Sequence, residues 1–327
     1  MDHYQMTSYL IKRLSTAIPT LLVISIVIFT ILALAPGNPL GEFASNPAIT
    51  PEIRENIRKS LGLDQPIYIR YIKWILAFIR GDLGYSFTSK SPVIGLILQR
   101  IPTTLWIAGT AYLLSFLIAF PLGIVSALKR YSLLDQIATT VAFLGFSLPT
   151  FLTGLLFIVI FSVQLKWFPF IYNSTLQITN WSNFIEQIKQ SIMPVCVLAL
   201  YQSAILMRFS RSAILDELPQ EYVRTAYAKG LGSFAILTNH ILRNAMIPII
   251  TLIALDIPTI FTGALVTEQV FRIPGIGSLL IESIYRNDTP VIMAVTFIYA
   301  ILIFIGNFFA DFTYSFLDTR VKLNTKK

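Results

Sequence analysis

The chain has 327 residues and a formal net charge of +8, with 55% hydrophobic and only 13% charged residues. Soluble domains carry about 25% charged residues. So little polar surface cannot cover so many apolar side chains, and the mean hydropathy of +0.69 points the same way. Soluble globular, disordered and fibrous classes fall away, and the chain reads as an all-α integral membrane protein.

Specific chemistries fall away with them. One cysteine, Cys196, leaves no intrachain disulfide and no Cys-cluster metal site. His3 and His240 are far apart in sequence, so neither an imidazole metal site nor a Ser/His triad is expected. No Gly-Lys-Ser/Thr occurs, which removes the phosphate-cradling loop of an ATPase. The pI of 9.5 fits basic loops on the cytoplasmic side of a membrane protein, and nucleic acid is not an expected partner.

A helix crossing the hydrocarbon needs about 20 apolar residues, because its backbone groups must be satisfied internally. Six stretches qualify: Ala17–Ala35, Leu105–Leu128, Ile137–Val163, Ile192–Met207, Met246–Thr267 and Val291–Ala310. The first follows Lys12 and Arg13 and ends in Ala33-Leu34-Ala35, which resembles a cleavage site. Its length exceeds the roughly 7–15 residues of a signal-peptide core, and Pro36 would follow the cut. It is therefore expected to stay as a span.

The segment between the first two spans holds its own helix signals. Thr50-Pro51-Glu52 offers a cap, a first-turn proline and an acid, followed by an apolar stripe at Ile53, Ile57 and Leu61. Asp64-Gln65-Pro66 starts a second helix carrying Tyr68, Tyr71, Trp74 and Phe78, rings suited to a membrane–water interface, and Gly81 ends it. A small helical layer on the outer surface is expected.

Gly145, Ser147 and Pro149 interrupt the third span. Proline removes a helical hydrogen bond and kinks the helix, and Ser147 is placed to help satisfy the freed groups. Such a bend is either static or a moving part of alternating access. Between the third and fourth spans, Trp167, Pro169, Tyr172 and Trp181 suggest a loop folding back on the outer face. The short fourth span is expected to continue through Arg208–Leu218 as a helix leaving the membrane.

Arg208–Ala245 is the most structured inner loop. Pro219 opens a short helix, Glu221 and Lys229 suit its two ends, and Gly230 suits the left-handed position after it. Gly232-Ser233 then caps a second helix over Phe234–Asn244, while Ala226 and Ala228 keep the connector's profile low. On its residues this is an ordinary helical hairpin or a surface that a partner's cleft grips.

Asp256 lies midway along the fifth span, where an acid costs about 2.5–3.5 kcal/mol on insertion scales. Thr259, Gly263 and Thr267 extend it as a polar, small-residue stripe. The stripe lines a path, or Asp256 packs the bundle. Asn307 and Asp311, near the inner end of the sixth span, suit packing or an interface. Thirteen Lys and Arg fall in the inner pieces against four in the short outer loops (Lys166, Lys189, Arg272 and Arg286), which sets both termini in the cytoplasm.

The stretch Tyr222–Leu231, followed by His240-Ile241-Leu242-Arg243-Asn244-Ala245 and Ile247-Pro248, resembles the EAA loop of ABC importer permeases. The similarity is to the dipeptide/oligopeptide/nickel branch, in the first of its two permease subunits. Aligned on Gly230, Arg224-Thr225-Ala226 stands where the general pattern has Glu-Ala-Ala, and the closing proline comes late, at Pro248. Further matching pieces run along the chain in order. They are Lys12-Arg13-Leu14 with Ile18-Pro19-Thr20, Ala35-Pro36-Gly37-Asn38-Pro39, Leu61–Pro66, Gly81–Ser86, Arg208–Ser212, Thr267-Glu268 through Pro274-Gly275-Ile276-Gly277, and Arg286–Pro290.

The resemblance implies a type I ABC transporter transmembrane domain with six transmembrane helices and a helical extracytoplasmic segment between the first two. It implies residues 1–101 as first helix plus extracytoplasmic segment, 102–317 as the transmembrane domain with a coupling loop at about 208–245, and 318–327 as a cytoplasmic tail. Such a permease is no enzyme. It sits in a bacterial-type cytoplasmic (inner) membrane with a sister permease, two ATPase subunits that use ATP and Mg, and an extracytoplasmic substrate-binding protein. Arg224, Thr225, Ala226, Lys229, Gly230 and Leu231 would couple to an ATPase groove. Asp256, Thr259, Gly263, Ser147 and Pro149 would line the translocation path for a peptide or related small solute. A different class stays open on the residues alone, an ion-coupled secondary transporter using Asp256 as its coupling site. The absence of an evident internal repeat weighs against it.

Overall fold

In the computed structural model, residues 3–34, 52, 55, 59, 62, 64–256 and 259–317 are described, with side chains over 15–34, the four single positions, 64–256 and 264–309. Thr50-Pro51, the stripe at Ile53, Ile57 and Leu61, and the turn Ala35–Pro39 lie outside these residues, as do the side chains of Thr259, Gly263 and Asp311. The regular structure among the described residues is helical, apart from one isolated bridge between Tyr85 and Pro92.

The helices are α1 (His3–Leu34), α2 (Ile67–Ile79), α3 (Val93–Leu128), α4 (Leu133–Ser147), α5 (Thr150–Phe157), α6 (Trp181–Glu217), α7 (Glu221–Ala228), α8 (Ser233–Ile236), α9 (Leu242–Asp256), α10 (Thr259–Val270), α11 (Ile276–Tyr285) and α12 (Thr289–Leu317). Wider π-helical turns continue α5 over Ile158–Gln164 and join α8 to α9 over Leu237–Ile241. By length and composition, five described helices suffice to cross a membrane: Ser15–Leu34, Val93–Leu128, Trp181–Glu217, Ser233–Asp256 and Thr289–Phe309. The pair α4 and α5 with its continuation makes a sixth if taken as one broken span, bent by 102°. The protein is a multi-pass helical membrane protein.

That bend has a local cause. Leu148 is extended (φ −83°, ψ 126°), the conformation that a following proline ring favours. Pro149 then caps α5, where its missing N–H costs nothing. The hydroxyl that bonds backbone at the break belongs to Thr153, donating to the Pro149 carbonyl at 3.3 Å. Ser147 is the last residue of α4 and is exposed.

The chain divides into two units. One comprises residues 1–102 with 278–304, the other 103–277 with 305–327. In the first, α2 turns its rings inward. Phe29 of α1 meets Tyr71 and Trp74, Phe297 of α12 meets Trp74 and Phe78, and the Ser25 and Tyr71 hydroxyls share a 2.8 Å hydrogen bond. Tyr71, Trp74 and Phe78 are thus half-buried against α1 and α12, while Tyr68 stays exposed. Asp288, buried ahead of α12, accepts hydrogen bonds from the Ser86 hydroxyl and from the Phe87 (2.9 Å) and Thr88 (3.2 Å) amides. Two segments singled out separately in the sequence are thereby clamped together.

The second unit is built on α6. Along α3 the buried small residues Ala119, Gly123 and Ala127 recur every four positions, which lets backbones approach as closely as membrane helices allow. At Gly123 a Cβ would lie 2.8 Å from the Ser210 Cβ and 3.1 Å from the Met207 carbonyl oxygen, so only glycine fits there. At the α10 end, Thr104 donates to the fully buried Glu268 at 2.7 Å and accepts from the Ile276 amide at 2.9 Å.

Candidate functional site

Two places in the second unit gather the residues that sequence reasoning marked. The first is the hairpin after α6. Its helix α7 begins at Glu221 rather than at Pro219, with Gln220 as cap, because Pro219 and Gln220 complete a turn from the end of α6. Its other end is a Schellman closure: the Gly230 amide donates to the Tyr227 carbonyl (2.9 Å) and the Leu231 amide to the Ala226 carbonyl (3.3 Å). This closure requires a left-handed residue, and Gly230 has φ +77°.

The hairpin's two faces differ. Val223 and Ala226 are buried in a cluster with Ala213, Ile214, Ile236 and Ile241, so α7 is seated on the end of α6. The Tyr222 hydroxyl adds a hydrogen bond to Glu217. Arg224, Thr225, Lys229, Gly230 and Leu231 are exposed, whereas Ala226 is only 3% exposed and faces inward. Of the six residues marked here, Ala226 is thus the one that holds the helix rather than presents itself. Arg224 bonds Glu221 at 2.8 Å across one turn. The exposed face also carries Tyr227 and Phe234, the latter 78% exposed, which the sequence did not single out. Their signal was present in the sequence as Tyr227, Leu231 and Phe234, large apolar side chains set beside Lys229, Gly230 and Ser233.

The second place is a cavity of about 540 Å³ whose lining includes Tyr112, Pro149, Tyr201, Gln202, Asp256 and Ala264. Here the structure brings Asp256 and Pro149 together. Ser147 is not among the lining residues, and the side chains of Thr259 and Gly263 are not described. Gln202 of α6 donates through Nε2 to Asp256 Oδ2, and the Tyr112 hydroxyl donates to the Ile253 carbonyl at 3.3 Å. An acid in such a setting keeps a polar partner and an open side, as intramembrane carboxylates must. Gln202, a lone amide in the fourth span, was the overlooked polar signal.

A third polar cluster escaped the sequence reading. Asp135, 3% exposed in the first turn of α4, accepts from Arg211 Nε (2.8 Å) and Nη2 (2.9 Å). It also accepts from the Ser126 hydroxyl and, at 2.9 Å, from the Tyr131 amide. Tyr131 has φ +65°, which turns that amide toward the carboxylate. Ser132 followed three residues later by Asp135 is a capping pattern and the only local hint of it. No group of three or more His, Cys, Asp or Glu that would hold a metal ion occurs among the described residues.

Helices long and apolar enough to cross a membrane, with a cavity that holds Asp256 in the second unit, define a multi-pass membrane protein. The chain belongs to the family described as binding-protein-dependent transport system inner membrane component, matched over residues 119–323, with its N-terminal companion, "Binding-prot-dependent transport system membrane comp, N-term", matched over residues 6–108. It is a transport permease, not an enzyme. It is 40% identical over 318 residues to the oligopeptide transport system permease protein AppB of Bacillus subtilis, covering 97% of this chain and 100% of that one. It is also 34% identical over 333 residues to the di/tripeptide transport system permease protein DppB of Pseudomonas aeruginosa and 33% over 317 residues to the glutathione transport system permease protein GsiC of Escherichia coli, each covering 97% of this chain and 99% of the relative.

Proposed function

We propose that this chain is the permease subunit of an ATP-driven, binding-protein-dependent importer, forming with a sister permease the translocation path for peptides or a related small solute. In this reading it has six spans with both termini in the cytoplasm of a bacterial-type inner membrane. Residues 1–101 form the first span and outer segment, 102–317 the transmembrane domain and 318–327 a tail. Two ATPase subunits, which use ATP and Mg, and an extracytoplasmic binding protein complete the assembly.

The observation that carries the reading is the hairpin of α7. Its inward face is fixed to α6 by Val223, Ala226 and the Tyr222–Glu217 hydrogen bond, while Arg224, Thr225, Tyr227, Lys229, Leu231 and Phe234 stand exposed beside Gly230. Exposed aromatic and apolar side chains with basic neighbours on a rigid seat suit a protein groove, since such anchors carry most interface energy. Closure of the ATPases would tilt this hairpin and exchange inward-open for outward-open states, a population shift driven by nucleotide. Asp256 and Pro149 would then border the path, with Thr259, Gly263 and Ser147 along the same elements.

Co-purification tests it. The tagged chain, expressed with its neighbouring genes, should bring down two ATPase subunits and a second permease, and reconstituted uptake should require ATP and the binding protein. Uptake by this chain alone, driven by an ion gradient and abolished by Asp256→Asn, would instead establish the secondary transporter.

A further inference from the structure

The cluster around Asp135 has no part in the seat of α7 or in the cavity, yet it lies between them along the chain of contacts. On one side, Arg211 belongs to α6, which runs without a break from Trp181 to Glu217 and ends where α7 is fastened. On the other side, Asp135 stands in the first turn of α4, whose far end leads through Leu148 and Pro149 into the cavity wall. Ser126, near the end of α3, closes the third corner.

The character of the contacts matters as much as their place. Near this cluster the contact of α3 with α6 is made by small residues, Ala119, Gly123 and Ala127, whose packing is non-directional, while farther along Trp106 donates to the Ser191 hydroxyl at 2.9 Å and Ile107 packs with Met193 and Val197. The ion pair is bidentate, so both its distance and its plane are fixed. Both carboxylate oxygens are engaged, Oδ1 by Arg211 Nε, Ser126 and Thr139 (3.3 Å), and Oδ2 by Arg211 Nη2 and the Tyr131 amide. A buried pair of this kind is weak evidence for stability and better suited to fixing register between elements.

We propose that Asp135 and Arg211 are positioning residues for energy coupling: their bidentate contact is the joint through which a displacement of α7, carried by α6, reaches α4 and α3. The proposal rests on α7 being the helix that meets the ATPase. Without the joint, α6 and α4 keep their apolar contacts at Ala138, Ala142 and Phe146 but lose the pair that fixes their register, and hydrolysis proceeds without moving the cavity wall.

The test compares Arg211→Lys and Asp135→Asn with the unaltered chain in the complete importer, reconstituted in lipid vesicles. Arg211→Lys keeps the charge but loses the bidentate fork, and is the variant to read if Asp135→Asn fails to assemble. Both ATP hydrolysis stimulated by the binding protein and solute uptake are measured, together with the recovery of ATPase subunits. The expected result is normal recovery and near-normal hydrolysis, with uptake per ATP lowered about tenfold, within the range of coupling between sites. Uptake and hydrolysis falling together, both staying unchanged, or loss of assembly in both variants would each overturn the joint and leave a role in folding alone. Failure of the unaltered chain to recruit ATPase subunits is a separate result, and it refutes the functional reading rather than the joint.

Discussion

Gly230 offers the sharpest separation of backbone strain from lost docking. Its φ of +77° costs an L-residue about 1–2 kcal/mol, and 1.4 kcal/mol is a factor of about ten in the population of the closed turn. Among the described residues nothing lies within 4 Å of a Cβ built there. Alanine and tryptophan therefore pay a similar backbone cost, and the larger Cβ substituent meets no further obstacle among the described residues. Gly230→Ala and Gly230→Trp should lower the melting temperature of the purified permease by the same small amount, and Gly230→Asn by less, since asparagine tolerates the left-handed region. Recovery of ATPase subunits should drop modestly in Ala and collapse in Trp, with uptake following at equal membrane abundance. Equal recovery and uptake in the Ala and Trp variants would refute the assignment of this face as the docking surface.

Other outcomes follow from single contacts. Gly123→Leu should destabilise the chain by at least the 1–3 kcal/mol typical of overpacking, because its Cβ alone already meets the Ser210 Cβ and the Met207 carbonyl; a thermal melt in detergent reads this. Asp256→Asn should assemble normally and keep ATPase activity, yet reduce uptake of cationic solutes relative to neutral or anionic ones; a uniform loss across a charge series would assign Asp256 to packing alone. Asp288→Asn removes the anionic acceptor shared by Ser86, Phe87 and Thr88, each such bond being worth about 1.5–3 kcal/mol, and should expose residues 84–92 to limited proteolysis without changing ATPase recruitment.

What was legible in the sequence is what depends on composition or on neighbours along the chain. The membrane class followed from too few charges to cover the apolar residues. The break at Pro149 followed from a ring that removes a helical hydrogen bond and kinks the helix, and the turn at Gly230 from the need for a left-handed residue after α7. These are local constraints, and the folded chain obeys them. Tertiary structure alone decided partners and facing. Asp135 and Arg211 meet across 76 positions, Gln202 and Asp256 across 54, and Ser86 and Asp288 across 202. No periodicity reports which of several equally placed helices will lie alongside. Ala226 turned inward and the rings of α2 packed against α1 and α12 for the same reason. An amphipathic or aromatic face announces that it will be covered, but what covers it is set by the packing of elements far away in the chain.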